Sequence, residues 1–216
     1  MTPLDSQALA ALIAEGVEAL PLTLGSAQQR QLVEYLVLLS KWNSTYNLTA
    51  VRKPEQMVTQ HLLDSLAAVP AFAEANDVLD VGAGGGLPGM VLAIARPDLR
   101  IAMIDTVHKK TAFLTQVKVE LGLRNVTVHT GRVEQLQVPD KFDVITSRAF
   151  AELKDFVHWS AHLLRRGGRF IAMKGTVPAD EIDRLPASWA VTEIRALQVP
   201  GLDAERHLIF IEAANP

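Results

Sequence analysis

Cysteine is absent from the 216 residues. That excludes disulfides, thiolate metal ligands, iron–sulfur clusters and a cysteine nucleophile, and it suits a reducing compartment such as the cytoplasm. No Lys or Arg precedes Arg30, so the basic start of a secretory signal and the Arg-rich look of a transit peptide are both missing. The longest uncharged stretch, Val81 to Ala95, is interrupted by five glycines and a proline. It falls short of the ~18 apolar residues of a membrane span, and a soluble protein is expected. Internal repeats, low-complexity runs and a polycationic tail are lacking too, and the net charge is only −3. What remains is an ordinary globular composition, 49% apolar and 21% charged, long enough for one domain with an appendage.

Charge is uneven along the chain. Residues 96–132 hold seven Lys/Arg against three Asp/Glu, and Arg165, Arg166 and Arg169 form a second basic cluster. Such clusters either meet phosphate or are solvated faces. With so few, RNA binding is expected to depend only shallowly on salt.

Residues 1–75 read as a helical N-terminal extension and 76–216 as the main domain. Ser26-Ala-Gln-Gln29 has capping-box form, and Leu32, Val33, Leu36, Leu39 and Trp42 make a stripe at helical spacing. Pro54 suits a first helical turn, and Pro70 an end. After Asn76, strand-like runs (Val78–Val81, Ile101–Asp105, Val126–Thr130, Phe142–Ser147, Arg169–Lys174) alternate with helical ones. The last of those helices, from about Glu152, is expected to close at Gly167-Gly168. Alternation predicts parallel β-α units, an α/β Rossmann-like fold, and Val191–Val199 with His207–Glu212 predict a closing antiparallel pair.

The chemistry concentrates at the first strand-to-helix turn, Asp80-Val-Gly82-Ala-Gly84-Gly-Gly86-Leu-Pro-Gly89. Glycines admit a ligand close to backbone, and ligands of doubly wound sheets sit at these strand ends. Asp105 closes the next strand, where a carboxylate can accept both hydroxyls of a ribose. Gly84-x-Gly86-x-x-Gly89 matches a dinucleotide fingerprint, which points to a nicotinamide or flavin cofactor. The acid-first pattern Asp80-x-Gly82-x-Gly84-x-Gly86 points instead to S-adenosylmethionine, and Pro88 removes a donor that a pyrophosphate would use.

Ser147-Arg148-Ala-Phe150-Ala lies at the end of the fourth strand. It lacks the Asn/Asp-Pro-Pro-aromatic motif of exocyclic-amine methyltransferases, and without cysteine a cytosine-C5 mechanism fails. A ring nitrogen such as guanine N7, already nucleophilic, remains. Arg148 either orients cofactor or base or is a surface ion-pairing residue, and in either case, as an exposed strand-end arginine, its loss is expected to cost the fold no more than about 0.5 kcal/mol. His61 and Asp64, one helical turn apart, make a polar patch at the site or a structural pair. No third ligand accompanies them, so no metal is expected. Lys174 and Arg206 either touch RNA phosphate or are solvated strand ends. Trp42, Tyr46 and Phe150 offer rings for base stacking, although Trp42 also extends the helical stripe.

Lys41-Trp-Asn43, Tyr46-Asn-Leu-Thr49, His61-Leu-Leu-Asp64-Ser65, the Asp80–Gly89 turn, Ser147–Ala151, Met173-Lys-Gly175 and Glu205-Arg-His-Leu208 together resemble the family of ribosomal RNA small subunit methyltransferase G, also called glucose-inhibited division protein B. The resemblance spans nearly the whole chain in order. It implies a class I S-adenosylmethionine-dependent methyltransferase fold and a cytoplasmic enzyme methylating N7 of a guanosine in 16S ribosomal RNA near the decoding centre. The 16S RNA or the small subunit is the implied partner, and a monomer is expected. The resemblance carries cofactor roles onto Gly82, Leu87, Val133, Glu134 (adenine end) and Arg148. Gly84 and Asp105 join them from the turn and strand position. His61, Asp64, Lys174 and Arg206 are expected on the RNA side, and Arg148 positions without acting as a base. A nicotinamide-dependent reductase and an RNA-binding assembly protein without turnover are the alternatives.

Overall fold

A computed structural model describes residues 5–214. Helices α1 (Ser6–Glu18) and α2 (Ser26–Tyr46) are followed by a helix that runs as α3 (Pro54–Met57), a π-helical turn (Val58–Leu63) and α4 (Asp64–Ala67). The sheet then alternates with helices: β1 (Asp77–Val81), α5 (Gly89–Ala95), β2 (Arg100–Asp105), α6 (His108–Glu120), β3 (Val126–Thr130), β4 (Phe142–Arg148), α7 (Leu153–Ser160) and β5 (Leu164–Lys174). A short α8 (Ala179–Asp183) precedes β6 (Trp189–Ala196) and β7 (His207–Ala213).

The strand order is β3-β2-β1-β4-β5-β7-β6. The first five strands are parallel, and β7 runs antiparallel to both β5 and β6. Period-two alternation sends the two faces of each strand to different cores. Val78, Ile101, Met103, Leu208 and Phe210 join the N-terminal helices, α5 and α6. Leu79, Val81, Ile104, Ile209 and Ile211 join α7 on the other face. The N-terminal helices thus share a core with the sheet. Each fully buried leucine there, such as Leu32, Leu36 and Leu39, contributes about 1.5–3 kcal/mol.

Helix α2 differs in detail from the expected stripe. Its buried residues are Leu32, Tyr35, Leu36, Leu39 and Asn43, while Trp42 is half-buried. Its cap is Gly25, whose N–H donates to Gln28 Oε1 at 2.8 Å, so Ser26 is already helical. Gln28 Nε2 also donates to the carbonyls of Ile94 and Ala95, each at 2.9 Å, and Gln31 Nε2 to that of Leu121 at 2.9 Å. These satisfy free carbonyls at the ends of α5 and α6 and lock both helices against α2. Gly167-Gly168 does not close a helix. It lies within β5, which begins as early as Leu164.

Candidate active site

The glycine turn sits between the ends of β1 and β2. Gly82 N and Ala83 N both donate to the carbonyl of Ile104, at 2.9 and 3.1 Å. Gly82 has φ +68°, and a Cβ there would lie 2.3 Å from Phe150 Cδ2. No larger residue fits without displacing the ring. Asp105 fastens the turn from below: its Oδ2 accepts from Gly84 N at 3.0 Å and its Oδ1 from Val107 N at 2.9 Å. Lys110 Nζ stands 3.6 Å from Oδ2. Asp105 therefore has a structural role that its strand position alone did not reveal.

Beneath the turn, the fully buried Asp80 accepts from Gly89 N through Oδ2 at 2.8 Å, while Oδ1 has no partner among the described residues. Burial pushes its carboxyl up to about 7, against the opposing pull of the Gly89 N–H and the Arg148 charge. Tyr35 donates its hydroxyl to the carbonyl of Gly85 at 2.6 Å, tying α2 to the same loop.

Two cavity lobes meet over the turn. One, of about 630 Å³, is lined by Asp105, Val107, Val133, Glu134, Phe150 and Trp159 among others. The second, of about 620 Å³, is lined by His61, Asp64, Leu87, Arg148, Lys174 and Arg206, with Gly84 in its floor. Gly82, Lys110 and Ala149 line both. Each cofactor-side and RNA-side candidate from the sequence thus lies on one lobe or the other, whereas the stacking candidates Trp42 and Tyr46 line neither, and both lobes have the volume of a small-molecule site.

The second lobe is organised by Asp64, whose side chain is 2% exposed. Its Oδ2 accepts from Arg148 Nη1 at 3.0 Å, and its Oδ1 from Arg206 Nε at 2.9 Å. Arg148 Nη1 also donates to the carbonyl of Gln60 at 3.1 Å. This corrects the expectation of an exposed strand-end arginine: Arg148 is an ion-pair partner of a buried carboxylate. It also corrects the pairing of His61 with Asp64. His61 Nε2 instead meets Thr49 Oγ1 at 2.7 Å, and burial, aided by the Arg148 charge, lowers its pKa to about 4. The π-helical turn that carries Gln60 and His61 adds a residue to the helical repeat, a device found often at functional sites.

Lys174 is not a solvated strand end either. Its Nζ lies 2.8 Å from Glu181 Oε2 and 3.2 Å from the carbonyl of Ala151. Phe150 packs on Gly82 and stands edge-to-face with Trp159, centroids 5.9 Å apart. Thr49, Gln60 and Glu181 complete these networks. Thr49 stood inside a motif, whereas Glu181, in a short helix after Pro178, carried no spacing signal linking it to Lys174.

The order β3-β2-β1-β4-β5-β7-β6, with a glycine turn after β1 and an acid closing β2, defines a class I methyltransferase fold. Solved structures agree. The chain superposes on a ribosomal protein L11 methylase from Lactobacillus delbrueckii subsp. bulgaricus with TM-score 0.54 and 18% identity, covering 70% of this chain and 76% of that one. It also superposes on a putative O-methyltransferase from Klebsiella pneumoniae with TM-score 0.57 and 16% identity, covering 96% and 98%. The profile of the family described as rRNA small subunit methyltransferase G matches residues 28–209, and the chain belongs to that family. Relatives named ribosomal RNA small subunit methyltransferase G include one from Herminiimonas arsenicoxydans, 68% identical over 98% of this chain and 99% of that one. One from Janthinobacterium sp. (strain Marseille) is 66% identical over 98% of each. Family membership decides for methyl transfer over hydride transfer.

Proposed function

We propose that the protein methylates N7 of a guanosine in 16S ribosomal RNA of the small subunit, in the cytoplasm, using S-adenosylmethionine. The observation that carries this reading is the meeting of two lobes at one glycine turn, one closed by an acid and the other by a fixed arginine. The residues present fit the cofactor. Asp105 spends one lone pair of each oxygen on the turn and keeps others for ribose hydroxyls. Val133 and Glu134 would hold the adenine end, and Gly82, Gly84 and Leu87 would admit the amino-acid part. The cofactor carries no phosphate, so the turn needs no cation. When bound, it supplies an electrophilic sulfonium methyl.

The chain's own groups then position the base. Guanine N7 has a lone pair and no proton to lose, so no general base is required. His61, neutral down to about pH 4, does not repel Arg148 at neutral pH, and its Nδ1 stands 2.9 Å from the same Gln60 carbonyl and 3.4 Å from Arg148 Nη2. Arg148, held by Asp64 and the Gln60 carbonyl, presents fixed positive charge and N–H donors to a guanine oxygen, stabilising by preorganisation. His61, Asp64, Lys174 and Arg206 shape the RNA side. One chain supplies all of these residues, so a monomer is sufficient.

The test is single-turnover transfer from methyl-tritiated cofactor to small-subunit RNA. Tritium appearing in RNA at one site supports the reading. Cofactor and RNA both binding without transfer supports an assembly protein instead.

A further inference from the structure

Surface cations differ in whether a carboxylate meets them. At the start of β4 and β5, the end of the sheet opposite the cleft, two arginines are neutralised. Arg165 pairs with Asp143 and Arg169 with Glu74 at 3.3 Å, while Arg166 is exposed with no carboxylate in ion-pair distance among the described residues. Inside the cleft Lys110, Arg148, Lys174 and Arg206 are paired with carboxylates, but three cations near its mouth are not. Arg52, Lys53 and Lys109 are exposed, and among the described residues none has a carboxylate within ion-pair distance. From residue 41 to 55 three cations, Lys41, Arg52 and Lys53, accompany the single acid Glu55.

Arg52 is held by neutral acceptors. Nη2 donates to Asn47 Oδ1 at 2.7 Å and Nη1 to the carbonyl of Asn43 at 3.3 Å. It is thus pre-oriented with its full charge intact, and three of its five N–H groups remain for a phosphate. These cations are brought together by packing. Trp42 on α2 packs at a tilt against Phe113 on α6 with centroids 5.5 Å apart, and against Tyr46 at 5.0 Å. Tyr46 is 40% exposed. Between the two helices, Leu48 and Thr49 form one wall of the second lobe and Lys110, next to Lys109, another.

We infer that the RNA backbone flanking the target nucleotide docks on this rim, with phosphates on Arg52, Lys53 and Lys109 and a neighbouring base on Tyr46. The base to be methylated then enters the lobe between Thr49 and Lys110. The inference rests on the proposed RNA methylation. The Arg165-Arg166-Arg169 cluster, although more basic in sequence, takes no part.

The test compares the parent chain with Arg52→Gln/Lys53→Gln/Lys109→Gln and with Arg165→Gln/Arg166→Gln/Arg169→Gln. Filter binding of a radiolabelled small-subunit rRNA transcript is measured over a range of KCl concentrations. Each single-strand phosphate contact contributes a slope of about 0.7 in log affinity against log salt, or about four-fold in affinity at ~0.15 M relative to ~1 M. The rim variant is therefore expected to lose about two units of slope and to bind about 60-fold more weakly near 0.15 M. Its cofactor affinity by calorimetry should stay unchanged, which shows that the fold is intact. The Arg165 variant should bind RNA as the parent does. A rim variant with parental slope and affinity, or an Arg165 variant equally impaired, overturns the inference. In both cases a parent that binds and methylates RNA leaves the functional reading standing. A parent that does neither removes both.

Discussion

Asp64→Asn changes one oxygen to an amide and removes the charge that faces two guanidiniums. The carboxylate is 2% exposed, whereas Arg148 and Arg206 are 22% and 26% exposed. Removing one partner of a buried ion pair costs about 3–5 kcal/mol because charge is left uncompensated. Here the stranded charges are the arginines, which reach water at their edges, so the lower bound of about 3 kcal/mol applies. For a chain of this size 1 kcal/mol moves the melting temperature by about 2–4 °C, giving a fall of roughly 6–12 °C. Urea unfolding should show a lower midpoint with unchanged slope, the sign that the native state and not the unfolded ensemble was altered. Arg206→Gln, which leaves the Asp64–Arg148 pair intact, should cost clearly less. A drop of under 2 °C for Asp64→Asn would refute the reasoning. It would mean that these pairs are screened like surface salt bridges, worth at most about 1 kcal/mol.

Asp105→Ala frees the N–H groups of Gly84 and Val107 as well as removing ribose acceptors, so cofactor affinity should fall by at least about ten-fold; parental affinity by calorimetry would exclude the ribose role. Arg148→Lys keeps the charge and could still meet Gln60 and Asp64, which Nη1 alone contacts, but it loses Nη2 and Nε as planar donors to a guanine oxygen, so its single-turnover rate should fall nearly as far as that of Arg148→Ala. Recovery of most of the rate by lysine would show that charge alone suffices. His61 should titrate near pH 4 by imidazole NMR. Because the unfolded state takes up that proton first, stability contributed by neutral His61 is lost as pH falls from about 6.5 towards 4, and His61→Gln should flatten this part of the stability profile. An imidazole titrating at about 6.5 would contradict the burial argument.

Elements whose cause is local were legible in the sequence. The parallel strands follow from short apolar runs between turn residues, and the turn at Gly82–Gly89 from glycines at positions where backbone must turn sharply. Arg148 and Asp64 were each recognisable as site residues, but 84 residues separate them, and no periodicity reports a partner across such a distance. That is why Arg148 looked like an exposed strand end and His61 looked paired with its helical neighbour. His61 and Asp64 do share the second lobe, as their spacing implies, but Thr49 takes the imidazole and two arginines take the carboxylate, so the two side chains do not pair with each other. Ser26 likewise looked like a cap because Gln29 follows three residues on, yet Gly25 with Gln28 satisfies the same geometry one residue earlier. The charge count could not tell paired cations from unpaired ones within either basic stretch: Arg165 and Arg169 meet Asp143 and Glu74, and Arg100 meets Asp77, all distant in the chain, whereas Lys109 has no such partner among the described residues.

The central claim is that this fold delivers a methyl group to one guanine N7 of small-subunit RNA. N7-methylation leaves a cationic ring that reduction and mild base open, so the strand can be cleaved there and the break read by reverse transcription. Small-subunit RNA incubated with protein and S-adenosylmethionine should show one new stop, at a guanosine, which is absent without the cofactor and absent with Arg148→Ala. Cofactor-dependent label in the RNA with no new stop would place the methyl group on another atom and contradict the claim.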